Sequence, residues 1–251
     1  MLAAAPFGLA IGVTMGALGG GGAVLAVPIL VYVLGQDAHP ATTASLAVVA
    51  AGAIAGGVGQ IDRGQVCWPQ VAVFAPTALV GAGFGTLANE VVDGQALLLG
   101  FAAVMLGAAW FTWHKADSTS DDADARCPPL QRGRTAVAGV VVGVMTGFFG
   151  VGGGFLVVPM LALAMRFPLR RAIGTSLVIV ASVSLVALGL HLARDASLDV
   201  EVTVAMALAC AVGGLAGSRI GARLPQATLG HAFSVLVALV AVYVIAAEAA
   251  A

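Results

Sequence analysis

Residues 16–30, GALGGGGAVLAVPIL, and residues 147–161, GFFGVGGGFLVVPML, decide the fold of this chain. In each stretch a run of glycines interrupts an apolar segment, and a proline follows at Pro28 or Pro159. Glycine in a helix interior is unfavourable by roughly 1 kcal/mol, and proline by about 3 kcal/mol, relative to alanine. Because the same unfavourable pattern occurs twice, we predict that both interruptions have a role in the fold or the function.

The composition predicts a membrane protein. Of the 251 residues, 60% are hydrophobic and 9% are charged, and the mean hydropathy is +1.04. A soluble domain of this length needs more charge on its surface, whereas apolar helices satisfy their own backbone hydrogen bonds in lipid. We therefore expect an all-α integral membrane protein surrounded by the lipid bilayer. The net charge of -1 leaves no basic face for phosphates, so no nucleic acid partner is expected.

The cysteines and the catalytic motifs argue against a metalloprotein or an enzyme. Cys67, Cys127 and Cys210 stand singly, without a CxxC motif or a His/Cys cluster, so the spacing predicts neither a metal site nor a disulfide framework. An intramembrane hydrolase using Ser176 and His191 is disfavoured, because the sequence has no Gly-x-Ser-x-Gly elbow and no HExxH motif. We expect no enzymatic activity, no catalytic residue, no metal and no cofactor.

Charge-free intervals indicate the membrane segments. Six of them have the length of one bilayer crossing, about 20 residues; they are residues 38–61, 64–89, 94–114, 172–193, 202–218 and 224–247. Two others, residues 1–36 and 135–165, would form helices of roughly 54 and 46 Å, longer than the ~30 Å hydrocarbon core. Each of these contains a glycine run, so each is expected to be broken, tilted or folded back on itself.

The chain is predicted to contain an internal repeat. Residues 114–134 are rich in Asp, Ser and Pro, which is typical of a solvated linker. We therefore divide the chain into transmembrane repeat 1 (1–115), a cytoplasmic linker (116–132) and transmembrane repeat 2 (133–251). A shift of 131 positions aligns the two halves without a gap over residues 12–46, and it pairs Gly12 with Gly143, Gly16 with Gly147, Gly19 with Gly150, Gly21 with Gly152, Gly22 with Gly153, Pro28 with Pro159 and Ser45 with Ser176. A one-residue adjustment then pairs Gly85 with Gly217.

The lysines and arginines predict the orientation, because such residues near membrane segments prefer the cytoplasm. If both overlong intervals cross once, giving eight simple spans, the 11 cations split six to five between the two sides. If each interval is a re-entrant or broken helical hairpin, ten lie on the side of the linker and only Arg194 lies on the other. The second arrangement is favoured: two inverted repeats, each a glycine-rich hairpin plus three transmembrane helices, with the linker cytoplasmic and both termini outside. Eight simple spans remain the alternative.

The glycine runs are also the predicted substrate site. Interrupted segments at matching positions of two halves indicate a transporter's binding site, because broken helices present backbone N–H groups that attract anions. Hydroxyls in ATTASL (41–46) and AIGTSL (172–177) can cap a helix or bind an anion. The predicted substrate-binding residues are Gly19, Gly20, Gly21, Gly22, Thr42, Thr43, Ser45, Gly150, Gly152, Gly153, Gly154, Thr175 and Ser176. Gly12, Gly16, Gly143 and Gly147 are instead expected to permit close helix packing.

The two glycine-proline motifs, each followed by TTASL or GTSL, and the late GSRIGARLP (217–225) resemble the TauE/SafE family of bacterial membrane proteins. The resemblance covers about residues 7–247. It implies a secondary transporter of the inner membrane, in a family whose members export sulfite and organosulfonates such as sulfoacetate, while some take up sulfonates. It also implies that the glycine runs and the Thr/Ser pairs form the anion site. Two pairs depart from the repeat, Ala23 with Gly154 and Thr43 with Gly174.

The expected function is transport of a small anion by alternating access, with export of sulfite or an organosulfonate favoured. In this interpretation backbone N–H groups and hydroxyls hold the substrate without a buried arginine, and Arg219 and Arg223 are cytoplasmic anchors. An anion channel, or an uptake permease for another small organic anion, remains an alternative. Membrane carriers commonly form a homodimer, but no residue here predicts an interface.

Overall fold

The computed structural model describes residues 4–35, 38–89, 94–116, 126–149, 154–193 and 199–250, and all regular elements within these ranges are helical. The first half contains α1 (Ala4–Leu18), a 3₁₀-helix (Gly19–Leu25), α2 (Ala26–Pro28) continuing into a π-helix (Ile29–Val33), α3 (Ala38–Asp62), α4 (Trp68–Asn89) and α5 (Gly94–Ala116). The second half contains α6 (Arg132–Phe149), α7 (Gly154–Pro159) continuing into a π-helix (Met160–Ala164), α8 (Leu169–Leu192), α9 (Val200–Arg223) and α10 (Gln226–Ala250).

The lengths and surfaces of the helices are those of a membrane protein. Five helical runs within the described residues are long and apolar enough to cross a membrane, namely Ala4–Leu25, Ala41–Asp62, Leu169–Leu190, Val200–Arg223 and Gln226–Ala246. The last four match four of the six expected crossings, and α4 and α5, of 22 and 23 residues, occupy the other two. Phe84, Leu208 and Leu239 are 65%, 64% and 64% exposed, as expected for side chains that face lipid. The prediction of an all-α membrane protein is therefore confirmed.

The helices recur in the two halves with the spacing of the sequence repeat. α8 begins 131 positions after α3, and α9 and α10 begin 132 positions after α4 and α5. Each half also has a five-residue π-helix directly after its proline. Proline lacks the N–H that an α-helix would use and clashes with the preceding turn, so the hydrogen-bond pattern widens locally to that of a π-helix. The same local chemistry thus produces the same irregularity twice.

The first glycine run reverses the chain. α1 ends at Leu18, and Gly19 has a φ of +76°, a left-handed conformation that glycine adopts readily. Gly22 then lies beside α1, where an added Cβ would be 2.5 Å from the Met15 backbone nitrogen. In one continuous helix these two residues would be about 10 Å apart along the axis. The run Ala4–Leu25 has the length of a span, but its α-helical part of 15 residues covers only about 22 Å of a ~30 Å core.

Glycines let two pairs of helices pack with their backbones in contact. Along α1 and α9, a Cβ on Gly8, Gly12 or Gly16 would overlap the carbonyl oxygen of Met206, Cys210 or Gly214, respectively. The repeat reproduces this contact between α6 and α4, where Gly143 meets the carbonyl oxygen of Ala78. Small residues at such crossings allow the helices to approach closely. The packing role predicted for Gly12, Gly16 and Gly143 is confirmed.

The prediction of no disulfide framework was wrong. Cys67 and Cys127 form a disulfide across a sequence separation of 60, with their Cα atoms 5.8 Å apart. The bond joins the loop between α3 and α4 to the end of the central linker. The Gln70 side chain strengthens this junction by donating from Nε2 to the Pro128 carbonyl oxygen at 2.7 Å. Single cysteines so far apart in sequence carry no local signal of pairing, because only the tertiary fold brings the two segments together.

Candidate functional site

The two glycine runs meet where the first chain reversal approaches the start of α7. A Cβ on Gly154 would lie 2.9 Å from the Gly20 carbonyl oxygen and 3.3 Å from the Ala23 Cβ, and a Cβ on Gly20 would overlap the Gly154 carbonyl oxygen. The structure therefore brings backbone from both halves into direct contact, which only residues without side chains permit. Gly150, Gly152 and Gly153, predicted to belong to this site, lie outside the described residues.

Ser176, from α8 in the second half, completes the first break. The Gly20 N–H donates to Ser176 Oγ over 3.4 Å, and the Ser176 hydroxyl donates to the Ile173 carbonyl oxygen at 2.8 Å. Ser176 is fully buried, and a Cβ on Gly19 would be 2.7 Å from its Oγ. At 3.4 Å the bond from Gly20 is long for an N–H···O hydrogen bond. The Gly20 N–H is therefore a donor that a better acceptor could take over.

The other glycines of the first run are held by close packing. A Cβ on Gly21 would lie 2.5 Å from the Phe233 ring, and Gly22 packs against Met15 and Thr14. All four glycines from Gly19 to Gly22 are buried. Gly21 and Gly22 thus have a packing reason to be glycine, while Gly19 and Gly20 face the hydroxyl of Ser176 and the second run.

The predicted hydroxyl residues divide into different environments. Thr175 accepts a hydrogen bond on Oγ1 from the Cys67 N–H at 3.1 Å, so its side chain faces the loop between α3 and α4. Ser45, the repeat partner of Ser176, is buried and donates to the Thr42 carbonyl oxygen at 2.7 Å. Thr43 is also buried. Of the predicted residues that the structure describes, Gly19, Gly20, Gly154 and Ser176 form one cluster at the first break.

A cavity of about 110 Å³ lies beside this cluster. Ala17 and Ile173 form the side of the cavity nearest the break, since Ala17 is two residues before Gly19 and the Ile173 carbonyl oxygen accepts from Ser176. Among the described residues, the polar lining consists of Arg63, Arg170, Gln60 and Gln65, with no acidic side chain. We call this space the arginine cavity.

Sequence reasoning missed the arginine cavity. In the sequence, Arg63 and Arg170 indicate only the cytoplasmic side, and Arg219 and Arg223 are predicted to be cytoplasmic anchors. The structure leaves Arg219 and Arg223 exposed and outside the cavity. The available signal was position: Arg63 directly follows α3 and Arg170 lies in the first turn of α8, the two helices that flank the break.

These features define the class of the protein as a multi-pass α-helical membrane protein, in which the helices recur in two halves and backbone from both halves makes contact at Gly20 and Gly154. Residues 4–244 match the family model described as "Sulfite exporter TauE/SafE". The chain belongs to the TauE/SafE family, as its motifs predicted.

Two relatives carry names of the same class. A protein named "Probable membrane transporter protein" from Xylella fastidiosa (strain 9a5c) is 34% identical over 239 residues, which cover 94% of this chain and 91% of the relative. A protein of the same description from Methanocaldococcus jannaschii is 26% identical over 231 residues, covering 87% of this chain and 84% of the relative. No solved structure gives a significant match to the chain. The family and these names indicate a transporter rather than an enzyme.

Proposed function

We propose that this protein is a secondary transporter of small anions, with sulfite or an organosulfonate as its substrate and export as its direction. The proposal rests on one observation: backbone from the two glycine runs makes contact at Gly20 and Gly154, beside the hydroxyl of Ser176. The first break and Gly154, the last glycine of the second run, thus meet at one buried point. Such a point is where transporters built from two halves bind their substrates.

The directions of the helices support an inverted arrangement of the halves. Gly52, Gly56 and Gly59 of α3 contact Cys210, Gly214 and Ser218 of α9 in rising order, so these two helices run in the same direction. α4 follows α3 after a loop of five residues (63–67) and therefore runs the opposite way. Since α9 is the repeat partner of α4, the two halves are oppositely oriented. α1 also runs parallel to α9, so residues 19–35 must return the chain to the side on which α1 began.

The chemistry of the break suits a sulfur oxyanion. The oxygens of a sulfur oxyanion accept hydrogen bonds. The break offers backbone N–H groups and a hydroxyl as donors, and these can bind an anion without the need to desolvate a buried countercharge. Substrate oxygens would take over the long bond that Gly20 now makes to Ser176. The name of the family, Sulfite exporter TauE/SafE, supports this substrate class.

The membrane potential would favour export. In the proposed orientation the linker faces the cytoplasm of a bacterial inner membrane, and both termini face outward. When an anion leaves a cytoplasm that is negative by 100 mV, its electrical free energy falls by about 2.3 kcal/mol per charge. Alternating exposure of the site between the two breaks would convert this driving force into net export.

Counterflow in proteoliposomes, with Ser176→Ala as the test variant, examines the proposal. Vesicles loaded with sulfite, sulfoacetate, taurine or sulfate should accumulate the matching tracer through the native protein. Loss of the hydroxyl should reduce the initial rate by about tenfold, as expected when a hydrogen bond worth about 1.5 kcal/mol is removed from a charged ligand. Ser182→Ala is the matched control, since Ser182 lies on the same helix and donates to the Val178 carbonyl oxygen. Equal rates for both variants would refute the site, and currents at channel rates would refute the carrier mechanism.

A further inference from the structure

We propose that the arginine cavity is a second anion-binding site, a vestibule that collects the anion on the linker side and passes it to the first break. The vestibule would serve the proposed transport function, and the prediction that its anion is an oxoanion rests on that function. It assigns a role to Arg63, Arg170 and Gln60, which neither the glycine motifs nor the hydroxyl pairs include.

The arrangement of hydrogen bonds favours an anionic occupant. Arg170 donates from Nη1 to the Ala222 carbonyl oxygen at 2.9 Å and from Nη2 to the Leu224 carbonyl oxygen at 2.7 Å. Its Nε is buried and has no hydrogen-bond partner among the residues that the structure describes. A buried donor without an acceptor is unfavourable, and an oxyanion in the cavity would supply the missing acceptor in a charge-assisted bond. The guanidinium is held in place by two carbonyl groups before any ligand arrives.

The other polar residues of the arginine cavity fit the same ligand. Arg63 donates from Nη1 to the carbonyl oxygens of Gly59 at 2.9 Å and Ser218 at 3.1 Å, and its side chain is exposed at the surface of the protein. Gln60 is 7% exposed and lines the cavity, where its amide can donate to an oxyanion. Two guanidinium groups, with no acidic side chain among the described lining residues, create a positive potential that raises the local concentration of anions. The volume of about 110 Å³ accommodates a small anion together with water.

The position of the arginine cavity connects the surface to the first break. Arg171, next to Arg170, donates to the Gly64 carbonyl oxygen and to Cys127 Sγ, so the cavity lies near the end of the linker, and Arg63 in its lining is exposed. Its inner wall includes Ile173, whose Cα would be 3.2 Å from a Cβ on Gly19. The repeat does not duplicate the arginine pair, since His39 occupies the position that corresponds to Arg170. The vestibule therefore belongs to one face of the transporter.

Charge-selective modification of an introduced cysteine tests the vestibule without requiring transport. Ala222→Cys places a thiol in the lining, and Cys210→Ala removes the free buried cysteine of the described chain. The rate of modification by the anionic reagent MTSES, divided by that by the cationic reagent MTSET, reports the local potential. We expect Arg170→Gln and Arg63→Gln each to lower this ratio by about three- to tenfold. Arg170→Lys, which keeps the charge, should retain it.

Arg134→Gln is the matched control, because it removes the same charge from an exposed site on α6 that does not line the cavity. Millimolar sulfate or methanesulfonate should slow MTSES modification in the parent and have less effect after Arg170→Gln. Equal ratios for Arg170→Gln, Arg63→Gln and Arg134→Gln would overturn the vestibule, even if counterflow succeeds. A selective loss at Arg170 and Arg63 supports it, even if none of the four counterflow substrates is transported. Arg63→Gln keeps the test decisive if Arg170→Gln does not yield folded protein.

Discussion

At the scale of single residues, the same residue type has different tasks along this chain. Gly19 supplies a positive φ, and Gly12 permits backbone contact between helices. A Cβ on Gly107 would meet no described atom within 4 Å outside its own helical turn. Gly35 and its repeat partner Arg166 share a left-handed backbone, with φ values of +65° and +55°. Glycine adopts this conformation readily, and Arg166 shows that the repeat preserves the turn even where the residue changes.

Gly12→Ala tests whether the helix crossing needs glycine. The added Cβ would overlap the Cys210 carbonyl oxygen, so α1 and α9 must separate, and we expect a loss of about 1–3 kcal/mol in stability. The free energy of unfolding in detergent, measured by denaturant titration, reports the change.

Gly107→Ala is the control for that substitution. It makes the same chemical change inside α5 with open space around it, so it should raise stability by up to about 1 kcal/mol through helix propensity. Equal effects of the two variants would contradict the packing role of Gly12.

At the scale of elements, the chain is organised by contacts between the halves as well as within them. α1 packs on α9 and α6 packs on α4, so the first helix of each half packs against a helix of the other half. The Cys67–Cys127 disulfide joins the linker to the residue directly before α4. The Cys67 N–H in turn donates to Thr175 Oγ1 of α8. The end of the linker is therefore connected through Cys67 and Thr175 to α8, the helix that carries Ser176.

Cys127→Ser should destabilise the oxidised protein by about 2–4 kcal/mol, since the disulfide closes a long loop of the unfolded chain. Thermal unfolding with and without dithiothreitol measures the effect. The reductant should lower the transition temperature of the native protein and leave that of Cys127→Ser unchanged. An unaltered transition in the native protein would mean that the two thiols are not joined.

At the scale of the whole molecule, the side of the membrane that the charges predict to be cytoplasmic is also the side of the linker, which carries the disulfide. Ten of the 11 lysines and arginines lie on the linker's side in the hairpin arrangement, which predicts that this side is cytoplasmic. Disulfides rarely persist in the cytoplasm. We therefore expect Cys67 and Cys127 to be reduced in growing cells and to pair after isolation in air.

Reporter fusions test this orientation. Green fluorescent protein inserted after residue 120 should fluoresce, and alkaline phosphatase fused after residue 251 should be active, because the linker is predicted inside and the C-terminus outside. Trapping cellular thiols with an alkylating agent before lysis should modify both cysteines. If alkaline phosphatase inserted in the linker were active, and the disulfide were intact in cells, the linker would lie outside. The orientation and the proposed direction of transport would then both be the opposite of those proposed.

The sequence by itself determined the membrane class, the internal repeat and the position of the first break, because composition and helix propensity act locally and a repeat is visible by self-comparison. Only the tertiary structure decided which groups meet. Ser176 binds Gly20 across 156 positions, and Cys67 pairs with Cys127 across 60. The arginine cavity likewise unites Arg63 with Arg170. These encounters depend on how helices of the two halves cross, a property that no local pattern of residues contains.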